Sequence, residues 1–324
     1  MRRAEPSFPD LLPVSHRLGA LPAGPQALLD PIEMRLVAGA GDRHESPGDR
    51  GVPRRPVRFL VHAEVATQET AHLTRLLGAG CGVVIVLDGA LAPESIPAPR
   101  FPQQVVVVAP WLPPLWGRWP IPDLTPWRER AGAAGVLIGL APAPSPKQQV
   151  RSGVHEAHAA GAQFVVAAPL STSPQERHRV WDDAGGEDGH EELEDLLFHT
   201  DATNLLGALE REASRACCEL GLAEIMPGPA TAATSATVCA AGGALLLWAR
   251  RLDLLEGVAS PGWQLRRAAR ALLASGREPG SLVEEDNLRV IPGFNPWVEA
   301  FARSLWAGAG EPFAEIKERW LAAP

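Results

Sequence analysis

Val136-Leu-Ile-Gly-Leu140, then Ser145-Pro146 opening a segment that closes at Gly161, then Phe164-Val-Val-Ala-Ala168: this stretch decides the fold. Both flanking runs are short, apolar and rich in β-branched residues. Near-continuous apolar runs of that length read as strands buried on both faces, which is how parallel strands look. Between them, a cap residue followed by proline is a good helix start, and a glycine is a good stop. Strand, helix, glycine, strand is the pattern of a right-handed βαβ crossover.

The rhythm extends toward the N-terminus. Similar runs occur at Ile32–Val37, Val57–Val61, Val83–Leu87 and Val105–Ala109. Thr67–Leu77, ending before Gly78 and Gly80, and the shorter Pro126–Ala134 have helical character. About six strand units therefore predict an α/β chain with a (β/α) barrel of the TIM type, complete or partial, over residues 32–230. A doubly wound parallel sheet is the alternative. Residues 1–31 are a proline-rich lead-in. A long helix is expected over Asp201–Leu220, with Ile225 and Met226 as a short seventh strand. Residues 231–324 read as a helical extension packed on the barrel, with helices over Ala240–Leu255, Gly262–Ser275, Pro296–Trp306 and Pro312–Leu321. Trp248, Trp263, Trp297, Trp306 and Trp320 fall there and are expected in the core.

Composition excludes several function classes. The 324 residues carry a net charge of −8, which gives no electrostatic reason to expect nucleic acid. The apolar run near Ala240–Ala249 is too short for a membrane span, and prolines and charges follow Arg2 and Arg3 where a signal peptide needs apolar residues. Cys81, Cys217, Cys218 and Cys239 make no CxxC, which points to a reducing, cytoplasmic setting. Cys217 and Cys218 read as small buried hydrophobes, and no zinc spacing links them to His199 or Cys239. The only lysines, Lys147 and Lys317, lie outside every predicted strand, which argues against a strand-borne Schiff base. GxxxxGK[ST], HExxH and GxSxG are all absent.

In a parallel α/β architecture, chemistry belongs at the carboxyl ends of the strands. There the sequence offers Gly39 and Gly41 in a long polar loop after the first strand, as backbone contacts for an anion. His62 and Glu64 follow the second strand on one face, as acid/base or ligand groups, or as a pair satisfied structurally. Asp88 ends the third strand as a polar anchor. Trp111 and Trp116 follow the fourth and suit the floor of a pocket, with Pro110, Pro113 and Pro114 as a rigid rim.

Gly135-Val-Leu-Ile-Gly-Leu140, the helix opened by Pro144-Ser-Pro146, and the run from Ala160 to Leu170 with Ser173-Pro-Gln-Glu-Arg177 resemble the fifth and sixth units of the partial barrel of radical S-adenosylmethionine enzymes. The resemblance spans about residues 32–180. It implies a nucleotide-shaped pocket in which Gly139 lies beside the adenine, with S-adenosylmethionine as the cofactor. The family's CxxxCxxC belongs in the loop after the first strand, and residues 39–51 contain no cysteine, so a three-thiolate iron–sulfur cluster does not form there. The expectation is a small-molecule-binding barrel protein, a cluster-less relative of that family. The alternative is a non-catalytic partner subunit that uses tryptophan- and proline-rich surfaces at Trp111–Trp119 and Phe294–Trp306.

Overall fold

The computed structural model describes residues 34–36, 58–62, 66, 70–87, 91–114, 120–169, 178, 181–182, 191–199, 202–227, 229–232 and 234–323. Each predicted apolar run is a strand. β1 (Met34–Leu36), β2 (Arg58–His62), β3 (Gly82–Val86), β4 (Val105–Trp111), β5 (Ala134–Leu140) and β6 (Phe164–Pro169) form one sheet in the order β1-β2-β3-β4-β5-β6. All five pairings are parallel, with Val84 opposite Val106, Val108 opposite Gly135 and Leu137 opposite Val166. Every residue of β3, β4 and β5 is buried, so both faces of this sheet are covered.

The crossovers carry α1 (Thr70–Gly78), α2 (Thr125–Ala131) and α3 (Pro146–Ala159). Between β3 and β4 the proline-rich chain makes one tight turn, Pro93–Ser95, because proline cannot donate to a helix. After β6 come the short α4 (Glu191–Glu194), one wide turn at Asp195–His199, and α5 (Ala202–Leu220). Strand alternation sends Val83, Ile85, Val105, Val107, Val136 and Ile138 to one face. There they share a core with Leu73 and Leu77 of α1, Trp127 of α2, Val154 of α3 and Leu209 of α5.

Closure into a barrel is not seen among the described residues. β1 pairs with β2, while beyond β5 the last strand meets only a single bridge, Phe164 with Ala223. The barrel expectation narrows to a parallel α/β sheet covered on both faces, a description the doubly wound alternative also fits. The seventh strand expected at Ile225 and Met226 is likewise reduced to that bridge, closed by Val165 N–H donating to Ala223 O at 2.8 Å. Pro227 and Pro229 follow immediately and offer no N–H to extend a ladder.

The C-terminal region is helical as expected: α6 (Ala236–Glu256), α7 (Gly262–Ser275), α8 (Pro279–Glu284), α9 (Pro296–Ala307) and α10 (Phe313–Ala322). Ser235 and Asn295 cap α6 and α9 by accepting from Val238 N–H and Val298 N–H. Trp248, Leu252, Leu265, Leu272, Phe301 and Trp320 anchor a second core. It docks on α5, where Arg215 Nη2 donates to Leu321 O at 2.8 Å.

Two expectations of burial need correction. Trp263 is 57% exposed, because it stands on the solvent stripe of α7 with Arg267 and Arg270, four and seven residues on. Cys217 is buried but Cys218 is exposed, since one residue along a helix turns the side chain about 100° off the buried face. In the stretch Phe294–Trp306, Phe294 is buried and packs its ring 6.3 Å from that of Trp306, while Trp297 and Trp306 are half-buried.

Candidate functional site

Among the predicted site residues, His62 is the last residue of β2, opposite Val86, as the carboxyl-end reading requires. The His62 side chain, Gly39, Gly41, Glu64, Asp88 and Trp116 lie outside the described residues. Gly139 is buried in β5 opposite Ala168 of β6, on the opposite face from Trp111 and Ile138. Gly139 and Trp111 are therefore not brought together.

Trp111 does floor a cavity. A groove of about 530 Å3 opens at the carboxyl end of β4, between the chain that follows the strand and α3. Trp111, Leu112, Ile121 and Ala160 provide apolar wall, and Asp123 and Glu156 provide charge. It opens on the helix-bearing side of the sheet, because Trp111 alternates with Val107 and Ala109 onto that face.

The groove is built by local choices in α3. Gly153 leaves room for the indole: a Cβ there would stand 2.9 Å from three of its ring atoms. One helical turn on, Glu156 Oε2 accepts from Trp111 Nε1 at 3.1 Å, fixing the ring edge. At the other end, Leu124 N–H donates to Ala160 O at 2.8 Å and ties the connection to the end of α3. Asp123 Oδ1 accepts from Thr125 N–H at 2.9 Å as α2 begins, and that backbone bond holds the Asp123 carboxyl below the usual range. No basic residue is among the described residues lining the groove.

A second polar constellation lies where α5, α6 and α10 meet. The Arg251 guanidinium carbon sits 4.7 Å from the Trp248 ring centre and 5.2 Å from that of Trp320. Its Nη2 donates to Ser214 Oγ at 2.6 Å and to Glu224 Oε2, and Ser214 Oγ–H also donates to Glu224. Trp320 Nε1 donates to Ser214 Oγ at 3.2 Å. Beside this knot lies Glu210, 2% exposed, with Arg250 Nη2 at 2.9 Å from Oε2 but out of line for a hydrogen bond. Burial pushes the Glu210 carboxyl above the usual range, against the pull of Arg250 and Arg251. Burial also pushes the Cys217 thiol up, which makes it a poor nucleophile.

The raised Glu210 carboxyl has a pH signature. The folded state holds this proton to higher pH than the unfolded chain does. Its contribution to stability is therefore fully present below the ordinary value of 4.5 and is lost as pH rises through the raised folded value. Glu210→Gln removes the titration. Denaturant melts should put wild type and variant farther apart, in the variant's favour, with each step up in pH over that window. A pH-independent difference would mean that Glu210 stays ionised throughout.

Sequence reasoning found Trp111 but missed Asp123, Glu156, Glu210, Ser214, Glu224 and Arg251. Among the described residues no group of three His, Cys, Asp or Glu side chains could hold a metal ion, and no helix is long and apolar enough to cross a membrane. No protein-family model, curated protein or solved structure matches the chain.

Proposed function

We propose that the protein binds a small organic cation in the groove floored by Trp111, on an open, partial barrel. The strand order supports the partial barrel, since each strand lies beside its predecessor without reversal and α1, α2, α3 and α5 share one face. The observation that carries the function is the groove itself. Its volume of about 530 Å3 falls in the ordinary range for small-molecule sites, and among the described lining residues the charged side chains are two carboxylates, Asp123 and Glu156, beside apolar walls. An indole fixed by a carboxylate, with a second carboxylate nearby, suits an ammonium or sulfonium group carried on an apolar frame. S-adenosylmethionine, the ligand implied by the resemblance, contains both groups and is one probe of this class.

Calorimetric titration with phenethylammonium tests the proposal. Glu156→Gln keeps an acceptor for the Trp111 indole but removes the charge, and should weaken binding about tenfold, the equivalent of ~1.4 kcal/mol. Ala159→Trp, on an exposed lining position, should block the groove while leaving the melting temperature nearly unchanged. Binding that survives both substitutions would place the ligand elsewhere.

A further inference from the structure

Where β6 meets α5 and α6 lies a small, largely enclosed cavity of about 10 Å3. That is close to the smallest space that accommodates one water molecule. Val165 and Leu247 line its apolar side, and Glu210, Cys217, Glu224 and Arg251 its polar side. Two of these side chains have unmet hydrogen-bonding capacity. Neither oxygen of Glu210 has a donor, and Arg251 Nε has no acceptor. The Nη2 of the same guanidinium is already engaged by Ser214 and Glu224. Orphaned donors and acceptors at this depth are rare in folded proteins, because each costs the full desolvation of the group.

An occupant must therefore accept from one side and donate to the other, in a space too small for anything larger than water. A cation would face Arg251 with Arg250 close behind, and an anion would face Glu210 and Glu224. A neutral dipole meets neither objection. The geometry points to a binding site for a single long-lived water molecule, which accepts from Arg251 Nε–H and bonds to the Glu210 carboxyl. Whether Glu210 is ionised or protonated, one of its oxygens remains to accept. The water joins α5 to α6 against β6, and so pins the C-terminal helices to the sheet.

The test uses the full chain with methyl-labelled alanine and valine. The methyl groups of Ala213 and Val165, both buried in the cavity wall, should give cross-relaxation peaks to water with the sign of a residence time longer than tumbling. Oxygen-17 relaxation dispersion, which proton relay through Ser214 or Cys217 does not affect, should count one long-lived water fewer in Ala213→Val than in wild type. Wild-type methyls without such peaks would overturn the site. So would an unchanged dispersion amplitude in folded Ala213→Val. Should that variant fail to fold, the wild-type methyl peaks decide the question.

Discussion

Arg251→Ala is expected to cost about 3–5 kcal/mol of stability, the range for removing one partner of a buried ion pair. The guanidinium is 3% exposed, lies between two tryptophan rings, and supplies the donor that Ser214 and Glu224 share. Its loss leaves the buried Ser214 hydroxyl and the Glu224 carboxylate without their cation and opens a cavity between Trp248 and Trp320. Arg266→Ala is the control. That arginine pairs with Asp253 at a site where both side chains are 37% exposed, and such pairs contribute about 1 kcal/mol or less. Denaturant midpoints that move equally in the two variants would show that the buried knot contributes nothing special.

Gly135→Ala should be nearly as damaging, at about 3 kcal/mol. A Cβ at Gly135 would fall 2.5 Å from the Phe164 carbonyl oxygen and 2.6 Å from two of its ring carbons. Gly135 and Phe164 are register partners at the amino ends of β5 and β6, and Phe164 is also bridged to Ala223 on its other side, so its backbone has little room to retreat. The Phe164 ring covers the bare glycine, as aromatic side chains do beside strand glycines. Gly280→Ala, in open space within α8, should by contrast stabilise by up to about 1 kcal/mol through helix propensity. A Gly135→Ala variant that melts with wild type would mean that the β5–β6 contact is looser than described.

Gly135 also shows what a sequence conveys and what it hides. The glycines of Gly135-Val-Leu-Ile-Gly-Leu140 carried the resemblance to a nucleotide-binding strand, yet at Gly135 sheet packing alone accounts for the missing side chain. The strands themselves were legible because burial on both faces leaves uninterrupted apolar runs, and β3, β4 and β5 are buried throughout. The helices were legible from caps and stops: the predicted Gly262–Ser275 is α7 to the residue. The bridge at Ala223 was misread because Ile225 and Met226 have strand composition while the prolines that follow decide the pairing.

The site was harder to read, because its contacts are long-range. Trp111 was legible as an aromatic residue at a strand end, but its partner Glu156 lies 45 residues away on a helix that otherwise reads as an ordinary polar face. The Arg250-Arg251 pair interrupts an apolar helix and was a visible signal of a buried partner. Its partners, 37 and 27 residues away at Ser214 and Glu224, become apparent only when α5 and α6 pack.

The most direct test of the account is the indole N–H resonance of Trp111, assigned by its loss in Trp111→Phe and followed while the full chain is titrated with phenethylammonium. Propylbenzene, the neutral probe of similar shape, runs in parallel. The cation should shift the Trp111 resonance saturably at millimolar concentration or below, and the hydrocarbon should do so far more weakly. An unmoved Trp111 resonance, or equal shifts with both probes, would contradict a cation site in the groove.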